Sequence, residues 1–392
     1  MKAALRFGAD AVYLAGKVFG MRAAADNFTV EEIRQACDYA HAMGKKVYVT
    51  VNTMPRTEEY PRLAEYLTEL SEVGADALIV ADPGVLTYAK KYAPGIELHL
   101  STQTGTVSAA DCLFWAEMGV KRVVLARELS LSDIKAIRAA IPEEIELEAF
   151  VHGSMCVSFS GRCLLSENLV GRDANRGTCA QPCRWNFHGY EIAEEKRLGT
   201  RYPVEETPDG TFILSSKDMC MIEHIDDLVL SGISSLKIEG RMKSAYYTAV
   251  CANTYRMALS AYAADPHGFT HDPKWMEELC SVSHREYCTG YWYDSPMQNA
   301  QLCEDTGYIR DKAFLAVVED YADGVATLTQ RNKFTVGDGV ELLTPGRCGR
   351  GLTVTALWNE SGEPIDSVPH PYMTFRMATP IPMKAGDIIR GT

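Results

Sequence analysis

Four cysteines lie within one short stretch of this 392-residue chain, and thiols are side chains well suited to chemistry. Six residues separate Cys156 from Cys163, fifteen separate Cys163 from Cys179, and three separate Cys179 from Cys183. Clustered thiols in a reducing compartment bind a metal ion or a cluster more often than they form disulfides. The tight second pair suits structural zinc, whereas an iron-sulfur cluster tolerates irregular spacing because its ligands can come from separate loops. The spacing leaves zinc, a cluster and inert buried thiols open, and Cys220 is a more distant fifth candidate.

The composition is that of a globular protein, with 46% hydrophobic residues. No stretch approaches the roughly 18 uninterrupted apolar residues of a membrane span, and the first residues are too weakly apolar for a signal peptide. The sequence therefore predicts a cytoplasmic protein without a membrane partner. The net charge of −13 argues against wholesale adhesion to nucleic acid, but it allows a local basic surface. Four arginines and one tryptophan of the cysteine stretch could bind RNA by charge and stacking: Arg162, Arg172, Arg176, Arg184 and Trp185.

A unit made of an apolar run, a polar loop and an amphipathic stretch recurs from residue 8 to about residue 240. Alternating strands and helices predict a parallel sheet with helices outside it. About eight units, with a polar residue after most of the runs, predict a (β/α)8 TIM-like barrel with its chemistry at the carboxyl ends of the strands. A doubly wound open sheet is the alternative. The predicted strands are Ala11–Leu14, Lys46–Val51, Ala77–Val80, Glu97–Leu100, Arg122–Leu125, Glu146–Val151, Phe212–Leu214 and Ser235–Ile238.

Changes of pattern divide the chain into three predicted regions. Residues 1–245 form the barrel, with a Cys-rich insertion at residues 153–210. Residues 246–311 form a helical connector. Residues 312–392 contain short alternating runs separated by turns such as Asp323-Gly324, which predicts a small C-terminal antiparallel β-barrel. Basic residues near its turns are a candidate RNA-facing edge: Arg331, Lys333, Arg347 and Arg350.

The stretch from Glu148 to Ser166 resembles the signature of peptidase family U32. It has Glu, Phe, Gly-Ser, an aliphatic residue and Cys, followed by Gly-x-Cys, an aliphatic residue and Ser. The likeness runs over nearly the whole chain, so the sequence is identified as a member of this family. Four other stretches also resemble its motifs: Gly177–Trp185, Ser216–Cys220, Leu236–Arg241 and Arg285–Gly290.

The resemblance implies a group of oxygen-independent hydroxylation proteins that carry a 4Fe-4S cluster and act on tRNA, ribosomal RNA or a quinone precursor. A barrel followed by one β-module is most similar to the branch that forms 5-hydroxyuridine at the wobble position of tRNA, with prephenate as hydroxyl source. The partners implied are tRNA and a paralogous U32 subunit. By motif, Cys156, Cys163 and Cys179 match three cluster ligands. Cys220 matches the fourth, and Cys183 is the runner-up.

Four further residues are candidate catalytic residues. Arg127 and Arg241 lie at predicted strand ends, and forked cations of this kind bind a dicarboxylate such as prephenate. Each has a neighbouring glutamate, Glu239 in the case of Arg241, so an ion pair that ties loops together is the alternative. His152 could donate a proton or a hydrogen bond to a cluster sulfur, or be a satisfied structural histidine. Two more charged residues next to strand ends are candidates to line the same mouth, with an ion pair between them as the alternative and plainer prediction: Lys237 and Asp218.

Two other functions stay open. A peptidase is one, although the sequence has no His-Glu-x-x-His zinc site and no Gly-x-Ser-x-Gly elbow. A cysteine protease needs one activated thiol with a histidine base, a role open to Cys156 near His152, but four neighbouring thiols favour shared ligation. The other is a non-catalytic RNA-binding or assembly protein with a structural metal.

Overall fold

The computed structural model describes most of the chain, in two compact units. The barrel unit comprises Asp10–Met242 and Arg285–Tyr308, and the second unit comprises Met1–Ala9, Lys243–His284 and Ile309–Thr392. No α-helix of the described part has the length and apolar character needed to cross a membrane. The described residues are 1–22, 27–184, 192–193, 201–202, 205–207, 210–212, 216–293 and 309–392.

Helices and strands are numbered in chain order over the described residues. The α-helices are α1 (Lys2–Arg6), α2 (Val30–His41), α3 (Tyr60–Glu72), α4 (Pro83–Tyr92), α5 (Ala109–Glu117), α6 (Leu131–Ala140), α7 (Leu165–Val170), α8 (Ile225–Leu230), α9 (Ala245–Ala264) and α10 (Pro273–Cys280). The strands are β1 (Ala11–Ala15), β2 (Lys46–Val51), β3 (Ala77–Val80), β4 (Glu97–Leu100), β5 (Arg122–Val124), β6 (Glu146–Ser154), β7 (Ile192–Ala193), β8 (Arg201–Tyr202), β9 (Glu205–Thr207), β10 (Gly210–Phe212), β11 (Asp218–Cys220), β12 (Ser235–Ile238), β13 (Tyr287–Cys288), β14 (Phe314–Ala322), β15 (Val325–Gln330), β16 (Gly339–Leu343), β17 (Arg350–Thr353), β18 (Leu357–Asn359), β19 (Pro364–Ile365), β20 (Thr374–Ala378) and β21 (Ile388–Gly391).

The barrel unit is built on a sheet that has nine strands in the described residues. β1 to β6 pair as parallel neighbours in chain order, and β12 pairs in parallel with β6. Parallel strands are buried on both faces, and in β2 the valines of one face (Val47, Val49 and Val51) and Tyr48 and Thr50 of the other are all buried. The two ends of the sheet meet, because Tyr13 of β1 donates a hydrogen bond to Glu239, the residue after β12, at 2.7 Å. The predicted α/β barrel is confirmed.

The seventh strand differs from the prediction. Residue 212 of the predicted run lies in β10, which pairs with β9 in a two-stranded sheet, and residues 213–214 lie outside the described residues. β11 joins the barrel sheet instead, antiparallel to β6. It begins with Asp218, whose buried carboxylate accepts a hydrogen bond from Arg285 at 2.7 Å. Because Asp218 is charged and its counterion is distant in the sequence, this strand is not an apolar run. The search for apolar runs therefore did not find it.

The second unit contains an antiparallel sheet of eight strands among the described residues, in the order β17-β16-β21-β14-β15-β20-β18-β19. It forms an antiparallel half-barrel, which confirms the small β-module predicted at the C-terminus. Alternate residues of β15 point inward, so that Ala326 and Leu328 are fully buried. Asp323 and Gly324 connect β14 to β15, both at positive φ, which is the geometry of a two-residue hairpin turn.

Candidate active site

A buried carboxylate organises the mouth of the barrel. Glu239 follows β12 and is 7% exposed. One of its oxygens accepts the Tyr13 hydroxyl at 2.7 Å, and the other lies 3.1 Å from the guanidinium of Arg22. The backbone N–H of Arg241 also donates to Glu239, at 3.4 Å. Residues from three separate parts of the chain therefore converge on one carboxylate.

Arg127 and Arg241 bring two more guanidinium groups to this mouth. Arg127 lies over the ring of Phe150, 3.8 Å from its centre, and one Nη donates to the Ser154 carbonyl at 3.2 Å. One Nη of Arg241 lies 3.4 Å from the hydroxyl of Thr50. The remaining buried nitrogens, Nε of Arg127 and both Nε and Nη2 of Arg241, have no hydrogen-bond acceptor in the described part of the chain. Two cations therefore carry donors that a bound anion could satisfy.

The residues that surround Glu239 at the mouth carry more positive than negative charge. Burial opposes ionisation of Glu239, but Arg22, Arg127, the Tyr13 hydroxyl and Arg241 together lower its pKa to about 2. Glu239 is therefore a carboxylate at neutral pH. Burial lowers the pKa of Arg127 and of Arg241 from its ordinary value, and the positive charge of Arg22 adds to this effect. The three arginines outnumber the carboxylates of Glu239 and of Glu128, which follows Arg127 in the chain, so the mouth is suited to a ligand with negative charge.

A pocket of about 210 Å³, including space open to solvent, lies between Arg127 and the cysteine segment. Arg127 and Cys156 both line it. The remaining lining residues are Glu128, Met155, Ser158, Ser160, Gly161 and Tyr291. A ligand bound by Arg127 would thus lie next to the first cysteine of the segment.

Three of the predicted ligand cysteines share a local geometry. Each Sγ accepts a backbone N–H from two residues further along the chain, at 3.4 Å for Cys156, 3.3 Å for Cys163 and 3.3 Å for Cys179. Such hydrogen bonds stabilise thiolate sulfur and are one of the means by which proteins tune cluster sulfurs. Cys220 is buried in β11, where it is the register partner of His152 in β6. Sulfur donors with N–H···S hydrogen bonds are the chemical kind of ligand that a thiolate-bound cluster has.

The described cysteine side chains are not arranged around a common metal position. In the described ranges, no group of three His, Cys, Asp or Glu side chains is arranged to hold a metal ion. Cys156 and Cys179 do lie near the mouth, since both contribute, after the larger effect of Glu239, to raising the pKa of Arg22. The cluster and its fourth ligand, Cys220 or Cys183, stay predictions.

Two anchors hold the cysteine segment to the barrel. Arg176 forms a forked ion pair with Glu59, with both N···O distances 2.8 Å, and donates to the Met54 carbonyl at 2.8 Å. Glu128 accepts hydrogen bonds from the backbone N–H and the hydroxyl of Ser160, at 2.6 and 2.8 Å. Arg176 is therefore a structural anchor as well as part of the predicted basic surface. The side chain of Arg184 and all of Trp185 lie outside the described residues.

Several sequence-based assignments can be compared with the contacts. The predicted ion pair between Lys237 and Asp218 is wrong: Lys237 pairs with the buried Glu148 at 2.5 Å, and Asp218 pairs with Arg285. Sequence reasoning missed Arg22 and Tyr13 altogether. Tyr13 lies within an apolar run, and Arg22 lies seven residues beyond the end of β1, so the rule of looking just after each strand does not find them.

An α/β barrel with a cationic mouth beside a cysteine segment is the class that the fold and site define. The chain belongs to peptidase family U32: the model of that family matches residues 1–302, and the model of the U32 C-terminal domain matches residues 310–390. It is 38% identical to tRNA hydroxylation protein P1 of Bacillus subtilis, over 95% of this chain and 87% of that protein. It is 35% identical to tRNA hydroxylation protein P of Escherichia coli, over 94% and 89% respectively. A protein of Porphyromonas gingivalis named collagenase is 29% identical, over 88% and 84%.

Proposed function

We propose that this protein hydroxylates a tRNA base without oxygen in the cytoplasm, forming 5-hydroxyuridine at the wobble position with prephenate as hydroxyl source. One observation carries the proposal: three arginines surround the Glu239 carboxylate at the mouth, and two of them have buried donors with no acceptor among the described residues. Prephenate has two carboxylates, which the forked donors of these arginines can bind. The names of the two most similar relatives described above support tRNA as the substrate. A paralogous U32 partner subunit stays a prediction from the resemblance.

The conversion replaces the C5–H bond of uridine by a C5–OH bond. If the hydroxyl group arrives as hydroxide, the C–O bond of prephenate breaks together with loss of carbon dioxide, which leaves phenylpyruvate. The C5 proton and two electrons then leave the base. The electrons must pass to an acceptor, which we take to be an external electron carrier of flavin or iron-sulfur type. The chain's own residues bind the hydroxyl donor, orient it and exclude water.

Each mouth residue has a distinct part in this proposal. Arg127 and Arg241 bind the carboxylates of the donor through their unsatisfied N–H groups. Glu239 stays ionised and fixes the positions of Arg22 and Tyr13, so it is a positioning residue. His152 is buried on β6 and is the candidate to accept or return the proton.

The proposed cofactor is a 4Fe-4S cluster held by Cys156, Cys163, Cys179 and Cys220. The three N–H···S hydrogen bonds and the reducing compartment support thiolate ligation over inert thiols. A bound cluster supplies one-electron transfer.

Nucleoside mass spectrometry of tRNA tests the function. Cells lacking this gene and its paralogues should lose the wobble nucleosides derived from 5-hydroxyuridine, and the wild-type gene should restore them. Unchanged nucleosides in the deletion strain would overturn the assignment to tRNA. Cleavage of gelatin by the purified protein, with no change in tRNA, would instead support the activity that the name of the Porphyromonas gingivalis relative describes.

Iron counting identifies the fourth ligand. Anaerobically purified wild-type protein should contain about four irons per chain, because a 4Fe-4S cluster needs four thiolates. Cys220→Ser should lose most of that iron, and Cys183→Ser should retain it. Cys251→Ser is the matched control, since Cys251 is buried in α9 of the second unit. Full iron in Cys220→Ser with loss in Cys183→Ser would reverse the assignment.

A further inference from the structure

An exposed phenylalanine stands at the edge of the pocket that Arg127 and Cys156 line. Phe159 is 54% exposed, although a large apolar side chain is stabilised by burial. Its chain neighbours Ser158 and Ser160 are both lining residues of the pocket. The ring therefore lies on the rim of the proposed site and is open to solvent over more than half of its surface.

The turn that carries this ring is held in an unusual conformation. Ser160 has a φ of 46°, in the left-handed region that residues other than glycine rarely adopt, at a cost on the order of 1 kcal/mol. The two hydrogen bonds from Ser160 to Glu128 offset that cost. Glu128 follows β5, so the turn is attached to the end of a barrel strand. The position of Phe159 is thus fixed by the barrel, as a binding platform requires.

Phe159 also lies close to a glycine on the next loop. Gly105 has a φ of 71°, and a Cβ atom at this position would lie 3.4 Å from Cε1 of Phe159. The loop therefore supports the ring from one side. Arg162 is exposed and follows the turn, and its backbone N–H donates to the Phe159 carbonyl at 3.1 Å, so an arginine lies three residues from the ring in the same turn. An aromatic face beside an exposed cation is the pairing that single-stranded nucleic acids bind, by stacking and by phosphate contact.

We propose that Phe159 is the platform on which the target base stacks once it has turned out of the tRNA loop. This inference rests on the proposed function, and it adds the residue that recognises the base. Stacking on an aromatic ring explains why a phenylalanine stays exposed at the pocket. The stacked base would then lie at the rim of the pocket lined by Arg127 and Cys156.

Fluorescence tests the stacking directly. The probe is a 17-nucleotide anticodon stem-loop with 2-aminopurine in place of the wobble base, because stacking on an aromatic ring quenches 2-aminopurine. Binding to the purified full-length holoprotein should quench the probe further. Phe159→Ala and Phe159→Leu should abolish the added quenching and weaken binding by about 10-fold, since stacking contributes about 1–3 kcal/mol per base. Phe159→Tyr should retain both.

Leu169→Ala is the matched control, because Leu169 is 52% exposed in α7 of the same segment and does not line the pocket. It should leave affinity and quenching within twofold of wild type. Quenching that persists in Phe159→Ala and Phe159→Leu would overturn the platform, as would equal losses in Leu169→Ala. The proposed function is tested separately: if wild type restores tRNA hydroxylation in the deletion strain and Phe159→Ala does so equally, only the platform fails. If wild type restores none, the proposed function fails and the platform with it.

Discussion

Replacing Arg127 by methionine is expected to lower kcat/KM for the hydroxyl donor by about 100-fold while leaving the fold as stable as wild type or more stable. A charge-assisted hydrogen bond to a carboxylate contributes about 1.5–3 kcal/mol, and Arg127 would make such bonds only when the donor is bound. Without the ligand, its buried Nε has no acceptor among the described residues, and burial lowers its pKa. Methionine keeps an apolar contact with Phe150 and removes the cost of the buried charge.

The measurement pairs donor-dependent formation of hydroxylated nucleoside with urea unfolding of the same protein. Arg122→Met is the matched control for the stability measurement. Arg122 also lies in the barrel, but it pairs with Glu146 at 2.6 Å and with Glu148 at 3.3 Å. Removing it should lower the free energy of unfolding by about 3 kcal/mol, because the buried carboxylate of Glu148 and the partly exposed one of Glu146 both lose a partner. If Arg127→Met destabilised the protein as much as Arg122→Met, or kept full activity, Arg127 would be a structural residue.

Replacing Arg390 by methionine is expected to lower the free energy of unfolding of the second unit by about 3–5 kcal/mol. Arg390 of β21 is 1% exposed and binds Glu278 of α10 through two nitrogens, at 2.8 and 2.7 Å. Its Nε also donates to Glu341 of β16 at 2.8 Å. Burial works against the charge, but these carboxylates and Tyr246 hold the pKa of Arg390 above its ordinary value. The loss of the arginine would leave Glu278 buried without its cation.

A double-mutant cycle checks this explanation by urea unfolding of the full chain. Arg390→Met with Glu278→Met should recover most of the stability lost in the single variant, because both members of the buried pair are then apolar. Glu341 keeps Lys312 as a partner at 2.7 Å in either variant. Arg376→Met, an exposed change in β20 of the same sheet, should stay within about 0.5 kcal/mol of wild type. A double variant no more stable than Arg390→Met would show that packing, not the ion pair, holds this region.

Prediction from sequence succeeded where the physical signal is local. The strands β2, β3, β4 and β12 have the predicted bounds, because a strand covered on both faces reads as a continuous apolar run. Arg127, Glu239 and Arg241 were expected at one end of the barrel because side chains just after parallel strands meet there, and their catalytic role stays a prediction. The structure places all three around one mouth.

Prediction failed where a residue depends on a partner distant in the chain. Asp218 was placed next to a strand end and not within a strand, since no residue near it in the sequence indicates that Arg285 is its counterion. Lys237 was paired with the wrong carboxylate for the same reason. Arg22 could not be singled out from the sequence, because an arginine in a loop is ordinarily a solvated surface charge. Only the structure shows its ion pair with Glu239.

The sequence by itself determined the family, the barrel and the cysteine segment, since these depend on residue types at fixed spacing. The tertiary structure alone decided which charges meet. It gathered Tyr13, Arg22 and Arg241 around Glu239 and left donors of Arg127 and Arg241 without an acceptor among the described residues. Electrostatic energy depends on distances in space and on burial, and neither can be read from positions along the chain.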